Sequence, residues 1–383
     1  MAKPNFILPN KPAIKAGSIL SYNYTDDLKF AAEPLDFSRN GSATRVNKQG
    51  LIETTSANIS RIDYSDSSTE PSLLLEPQST NLFPYSNDFS QWGSLSGASV
   101  INNVLVSPDG TLNADEFVFD GTNNGRIEER VSITNGLVYT FSIYLKNKDI
   151  ANPTQVFIGN ETASEGGFVT VTNEWQRFTN TQTVNETNEY PRVRYDGVGS
   201  LYAYGAQFEQ KSFATSYIPT LGSTATRLGE TADNAGGAGV FNSEEGVLYV
   251  EIAALANDAE NRHIEILSKS DESAFVRMKY GVPAGRIECQ YRTSGSSTQA
   301  MLYKNLTDST EYIKIAFKWQ LNNFSLYING TKISEDLSGN VNPPNTFDDI
   351  RFGKQPFAFY GKTKNLQVFN YALTDEELQT LTT

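Results

Sequence analysis

The chain has 383 residues, with 31 Lys plus Arg against 44 Asp plus Glu, one His and one Cys, and a formal net charge of −13. One Cys rules out an intrachain disulfide and any Cys-rich zinc site, and one His rules out a His-pair metal site. The acidity argues against a nucleic-acid partner, which requires a basic face to neutralise phosphates.

No stretch reaches the roughly 20 apolar residues of a membrane helix. The best run, 246–256, is broken by Glu251. Phe6-Ile7-Leu8 is too short for a secretory signal, so neither Sec export nor membrane insertion is expected. With 19 Tyr and 22 Phe the chain favours pleated structure, where flat side chains pack well, and it is too aromatic for disorder.

Residues 1–80 show few strand signals. Turns are expected at Lys11-Pro12, Asp26-Asp27, Asn40-Gly41, Gln49-Gly50, Glu70-Pro71 and Glu76-Pro77. This leader reads as largely extended and buries little by itself, so it should dock on another domain, another subunit or a larger assembly. Residues 81–220 carry short alternating runs, such as Val138-Tyr139-Thr140-Phe141-Ser142-Ile143 and Phe168-Val169-Thr170-Val171, punctuated by Asn135-Gly136, Gly166-Gly167 and Asp196-Gly197. Period-two alternation puts one side-chain set inside and the other in solvent, which predicts a jelly-roll sandwich.

Residues 221–239 are rich in small side chains and read as a linker. Residues 240–383 alternate again, with Asn329-Gly330 as a hairpin turn between 324–328 and 332–333. Thr374 and Glu377 have capping-box spacing and predict one terminal helix over 375–381. The predicted class is all-β: two antiparallel β-sandwiches preceded by a largely extended N-terminal segment.

The last zone resembles a concanavalin A-like sandwich of the laminin-G type. The resemblance rests on Phe324-Ser325-Leu326-Tyr327-Ile328-Asn329-Gly330-Thr331, on Ile350-Arg351-Phe352-Gly353, and on Leu366-Gln367-Val368-Phe369-Asn370-Tyr371-Ala372-Leu373-Thr374. The earlier zones resemble the leader and carbohydrate-binding-module-like jelly roll of bacteriophage tail and virion proteins. Here the phrases are Asp36-Phe37-Ser38-Arg39, Ser42-Ala43-Thr44-Arg45, Leu73-Leu74-Leu75-Glu76-Pro77-Gln78-Ser79-Thr80-Asn81-Leu82, and the closing Tyr204-Gly205-Ala206-Gln207-Phe208-Glu209 and Thr215-Ser216-Tyr217-Ile218-Pro219-Thr220.

That resemblance implies a virion protein on the surface of the phage particle: a tail fibre, spike or head fibre, made in the host cytoplasm without a signal peptide. Its leader would meet other virion proteins, its sandwiches would meet a host-surface polysaccharide or glycan, and the chain would form a homotrimer. The rivals are a purely structural decoration protein without glycan affinity and, behind it, a polysaccharide depolymerase. No fixed-period repeat of the β-helix kind supports the depolymerase.

Catalytic residues are not expected. Glycoside hydrolysis needs two carboxylates across a cleft. Asp258 and Glu260 have suitable spacing but lie in a polar, loop-like stretch. His263 lacks a Gly-x-Ser-x-Gly partner and reads as a packed or solvated strand-edge residue, and Cys289 reads as a buried, inert thiol. Glycan contact is the better expectation, through flat rings: Trp92 first, which could equally be packing, then Tyr195, Tyr202 and Tyr360. Trp175 and Trp319 read as core. Calcium needs six to eight oxygen ligands. Asp120 with Asn123, and Asp348 with Asp349, could contribute some, although turn chemistry explains both clusters equally well.

Overall fold

The computed structural model describes residues 35–66, 69–148, 154–160 and 166–383 in full, with the backbone of five short strands before them (Phe6–Leu8, Ile14–Lys15, Ser18–Ile19, Tyr22–Tyr24 and Phe30–Ala32). The turns expected at Lys11-Pro12 and Asp26-Asp27 lie outside the described residues. The fold is all-β with sandwich-type sheets, as the alternation predicts. The chain divides into two compact units. One comprises Met1–Gly41, Thr55–Pro77 and Gly229–Thr383, and the other Ser42–Thr54 and Gln78–Leu228.

The first unit is a sandwich of the concanavalin A-like, laminin-G type. One sheet places Thr331–Asp336, Phe324–Ile328, Ile313–Trp319, Gly246–Ala254 and Gly361–Phe369 side by side, and the other runs Ser297–Asn305, Arg286–Thr293, Phe275–Gly281, Arg262–Leu267 and Asp349–Arg351, all antiparallel. Alternation sends Leu248, Val250, Ile252, Ile315, Phe317 and Trp319 into the space between the sheets, where they meet Ile264, Ile266, Val276, Met278 and Tyr291. Side chains of this kind contribute roughly 1.5–3 kcal/mol each when fully buried.

The opposite face of the first sheet presents Val247, Tyr249, Ala316 and Tyr327, which the terminal helix Asp375–Thr382 covers with Leu378. That helix opens on the expected reciprocal cap of Thr374 and Glu377. At the hairpin, Asn329 and Gly330 both take positive φ, 47° and 76°, as a two-residue turn between right-twisted strands requires.

The described part of the leader is built into both units rather than standing apart. Leu35–Ser38 pairs with Thr231–Asp233, and Ser72–Leu75 pairs with both Arg61–Asp63 and the long strand Gly361–Phe369. Leu35, Phe37, Ile62, Leu73 and Leu75 join the core, so the described part of a segment expected to bury little buries most of its apolar side chains. These strands have three or four residues each, too short for their alternation to stand out, and Leu35–Ser38 and Ser72–Leu75 find partners in Thr231–Asp233 and Gly361–Phe369, far along the chain.

A buried ionic network fixes them. Glu230 receives Arg39 Nη1 at 2.7 Å, Arg61 Nε at 2.9 Å and Arg61 Nη2 at 2.5 Å, while Arg61 Nη1 reaches Glu76 Oε2 at 2.6 Å. Arg39 also donates to Thr55 Oγ1 and to the carbonyls of Ser56 and Gly41. Burial lowers the Arg61 pKa, but the Glu230 and Glu76 carboxylates outweigh it and raise it on balance.

The second unit is a jelly roll of two five-stranded antiparallel sheets. One runs Ser94–Ser96, Arg126–Glu128, Arg192–Arg194, Thr154–Gly159, Gly167–Val171, and the other Ala98–Val106, Leu112–Asp120, Val198–Glu209, Val138–Asn147, Gln176–Thr183. Read in order, the two sheets carry chain-neighbour strands at the same positions, so the chain changes sheet at each of those connections. Phe117, Phe119, Phe141, Leu145, Leu201 and Phe208 fill the interior.

The stretch expected to be a linker supplies strands instead. Ala225–Arg227 pairs with Ser79–Asn81 in the second unit, and Thr231–Asp233 belongs to the first.

Candidate functional site

The five-stranded sheet of the first unit has one face in the core. Its other face, by the same alternation, carries His263 and Glu265; Phe275, Arg277 and Lys279; Arg286, Glu288, Gln290 and Arg292; Met301 and Tyr303; and Arg351. Strand register aligns them in rows across the sheet. Arg351, Glu265, Arg277, Gln290 and Met301 form one row, and His263, Lys279, Glu288 and Tyr303 the next.

Glu265 stands between Arg351 and Arg277 in the first row. Its Oε1 lies 3.2 Å from Arg277 Nε and 3.0 Å from His263 Nδ1, and its Oε2 lies 3.2 Å from Arg351 Nη2. Burial pushes this carboxyl up, but the His263 bond and the two guanidinium groups outweigh it and hold it down at about 2. The His263 imidazole is shifted down, first by burial, and its ring stacks on Phe357 at 5.1 Å. His263 is therefore neutral at pH 7, packed as the sequence suggests and paired to Glu265 in addition.

Arginines crowd the rest of the face. The Arg277 guanidinium lies 3.8 Å from the centre of the Phe275 ring, and Arg292 lies 5.2 Å from the same ring. Arg277 is pushed below its ordinary pKa by burial; Glu265 opposes this, while Arg292 and Arg351 push further down. Arg277 and Arg351 share Glu265, Arg351 Nη1 also reaches Glu272 Oε1 at 3.3 Å, and Arg292 donates to the Ser296 carbonyl. The Nε atoms of Arg292 and Arg351 are buried and hydrogen-bond to no protein acceptor. Glu288 answers Lys279 at 3.1 Å and accepts from Gln290. At one edge Met301 and Tyr303 stand 51% and 48% exposed, with Arg286 4.2 Å from the Tyr303 ring centre. Phe357 is 45% exposed at the other edge.

The ring residues singled out by sequence are placed elsewhere. Trp92 is 4% exposed, donates its Nε1–H to the Tyr85 carbonyl, and packs against Phe83 and Phe89. It offers no face to a ligand, because the short 3₁₀ turn Phe89–Gln91 tips it into the core. Tyr195 packs edge-on against Phe119, with its ring over Gly197. Tyr202 points to the opposite side of its strand, beside the Glu116–Lys148 pair. Tyr360 is half-buried and accepts a hydrogen bond from Gln355. The four are not brought together. Trp175 is half-buried rather than core, bonding the Val106 carbonyl, while Trp319 is fully buried.

Asp120 and Asn123 sit at a turn, whereas Asp348 and Asp349 open the strand Asp349–Arg351. Asp120 is exposed and accepts the Thr122 amide, and Asn123 is exposed beside it. Asp348 accepts the Lys269 amide. Asp349 is buried, 3.7 Å from Lys269 Nζ, and burial pushes its carboxyl up to about 6. Among the described residues no three His, Cys, Asp or Glu side chains group closely enough to hold a metal ion. Asp258 forks onto Arg262, both contacts being 2.7 Å, so it is engaged structurally. Cys289 is buried, as expected, and its thiol is pushed well up.

Sequence reasoning missed the arginine face. The signal was present: Arg277, Arg292 and Lys279 alternate with apolar residues in 275–280 and 287–292. Only strand register shows that they converge.

Residues 252–379 match the family described as the concanavalin A-like lectin/glucanases superfamily. A search of curated proteins finds no match. Similar solved structures include the CBM40 of the Ruminococcus gnavus IT-sialidase bound to α2,3-sialyllactose, at 18% identity and TM-score 0.33, covering 39% of this chain and 94% of that one. A SAP-like pentraxin from Limulus polyphemus is 12% identical, covers 37% of this chain and 71% of that one, and has TM-score 0.32. Domains LG4-5 of the mouse laminin α1 chain are 9% identical, cover 68% and 91%, and have TM-score 0.26. These are likenesses of fold, and the ligands of those proteins are theirs alone.

Proposed function

We propose that this chain is a non-catalytic attachment protein that binds acidic saccharides on the arginine-lined face of its first unit. One observation supports the reading: Arg277, Arg292 and Arg351 crowd one sheet face, where Glu265 pairs with Arg277 and Arg351, Glu272 pairs with Arg351, and no carboxylate of the described residues pairs with Arg292. A sugar carboxylate or sulfate would pair with the half-buried Arg292 guanidinium in the geometry that guanidinium groups favour. Tyr303 at one edge of the sheet, or Phe357 at the other, would lie under the C–H face of a sugar unit. Glu265, held at about 2, stays ionised and cannot serve as the proton donor that glycosidic cleavage needs at neutral pH.

Calorimetric titration of the full chain with uronic-acid or sialylated oligosaccharides, against neutral ones of equal length, tests this. Preferential binding of the acidic set, weakened about tenfold or more by Arg292→Gln, supports the reading. Equal affinity for both sets, or indifference to Arg292→Gln, rejects it. New reducing ends on incubation would reject the non-catalytic part.

The setting we propose is the surface of a phage particle, with a homotrimeric assembly. What supports it is the order of the leader and closing phrases in the sequence. Antibody labelling of virions that leaves head and tail bare would overturn the setting, and a monomeric mass by light scattering would overturn the trimer.

A further inference from the structure

Where the leader strand docks on the first unit, aspartates gather that the saccharide reading does not use. Leu35–Ser38 pairs with Thr231–Asp233, and that segment in turn meets the strand Asp349–Arg351. The Ala235 carbonyl accepts the Ile350 amide at 2.9 Å, and the Ala232 carbonyl accepts the Phe352 amide at 2.8 Å. Leu35, Phe37, Ala232 and Ile350 enter the core. Alternation therefore turns Asp36, Asp233 and Asp349 to the other side. Register sets Asp233 directly opposite Asp36, and the charge of Asp233 acts on Asp349.

The surrounding charges do not balance this row. Asp348 adds a fourth carboxylate and accepts the Lys269 amide. Lys269 Nζ stands 3.7 Å from Asp349 Oδ1, an oxygen that accepts no hydrogen bond. Arg351 is shared by Glu265 and Glu272, and Glu272 also takes Lys354. On the far side of the leader strand, Ser18–Ile19 brings no ionisable residue. Asn234 donates to Asp36 Oδ2 at 3.0 Å, which eases that carboxylate without neutralising it. Like charges directly opposite on paired strands are destabilising, and burial favours the neutral carboxyl. Burial first, then Asp36, pushes Asp233 above its ordinary value, against Arg351 and Lys269. Burial lifts Asp349 to about 6; Lys269 and Arg351 oppose this, while Asp233 and Asp348 add to it.

We infer that the leader strand Leu35–Ser38 is a proton-sensitive latch, which docks firmly while the Asp36–Asp233–Asp349 row holds protons and loosens when all three are charged. Carboxyls raised in the docked state favour docking below their raised values, and that advantage is lost as the pH rises through them. The latch thus tightens toward acid, whereas the contribution of Glu265 is lost toward acid. Arg39, the residue after the strand, is tied to Glu230, so the opening is confined to Leu35–Ser38. An open latch uncovers Leu35, Phe37 and the edge of Thr231–Asp233.

Hydrogen exchange of the full chain, read by mass spectrometry at about pH 5 and about pH 7.5 with times scaled for the chemical rate, tests this. Peptides covering 35–38 should lose about fivefold or more of their protection at the higher pH, while peptides covering 313–319 in the opposite sheet keep theirs. Asp36→Asn and Asp233→Asn, both nearly isosteric, should each flatten that loss. Asp36 is exposed, so its substitution leaves the core intact and its result is a clean reading of the latch. Equal protection of 35–38 at both pH values, an undiminished loss in both variants, or a parallel loss in 313–319 would overturn the inference.

Discussion

Glu265 and Asp349 show how one sheet can hold two carboxyls in opposite states. Glu265 has a folded pKa of about 2 against a model-peptide value near 4.5, because it faces His263 and two arginines. Its stabilising contribution is fully present above about pH 4.5 and is lost as the pH falls toward 2. Asp349 is raised to about 6 by burial, so its ionisation opposes folding and stability declines as the pH rises from about 4 to about 6. Two outcomes follow for denaturant unfolding of the full chain. Glu265→Gln should lose about 3–5 kcal/mol at pH 7, by stranding the arginines, and should flatten the acid limb. Asp349→Asn should gain stability at pH 7 and match the wild type near pH 4. A wild-type midpoint unchanged between pH 5 and pH 2.5 would contradict the first.

At the scale of elements, the phrases that carry the resemblance turn out to be fold devices. In Val198–Glu209, Leu201 and Ala203 face the core, and so do Ala206 and Phe208, which breaks strict alternation. The break occurs at a bulge, where Gly205 takes φ 64°. A Cβ there would lie 3.2 Å from Tyr144 and 3.5 Å from Tyr217. Gly205→Ala should therefore cost about 1–2 kcal/mol, measurable as a lower unfolding midpoint.

The same strand ends in a buried polar lock. Glu209 accepts from Ser79 at 2.5 Å, Gln207 at 2.6 Å and both the amide and hydroxyl of Thr215 at 2.8 Å, while Asn81 bonds the carbonyls of Ala206 and Ile218. These residues close the jelly roll. Arg61 plays the matching part in the first unit, and Arg61→Met should cost about 3–5 kcal/mol by leaving Glu230 and Glu76 buried without their shared cation. A change under 1 kcal/mol would show that the network relaxes around the loss.

At the scale of the whole molecule, the chain passes between the units four times before residue 230. Removing residues 1–77 takes Leu35, Phe37, Ile62, Leu73 and Leu75 out of the first unit's core, together with Arg39, Arg61 and Glu76. Residues 78–383 should therefore express with a destabilised first unit, seen as lost near-ultraviolet dichroism and protease cleavage within 229–383. Equal protection of truncated and full-length chains would refute this.

Period-two alternation, Asn329-Gly330 and the Thr374–Glu377 cap were enough to read an all-β chain with two sandwiches and one terminal helix, because those signals are local. The sequence also determined which side chains are available: no disulfide, no His-pair site, and an acidic surface. The placement of the leader, the burial of Trp92 and the gathering of Arg277, Arg292 and Arg351 on one sheet face were decided by tertiary structure. Each depends on register between strands distant in the chain, and a shift of one residue would send every side chain of a strand to the opposite face. Alternation names the two faces of a strand. Only the packed sheets decide what each face meets.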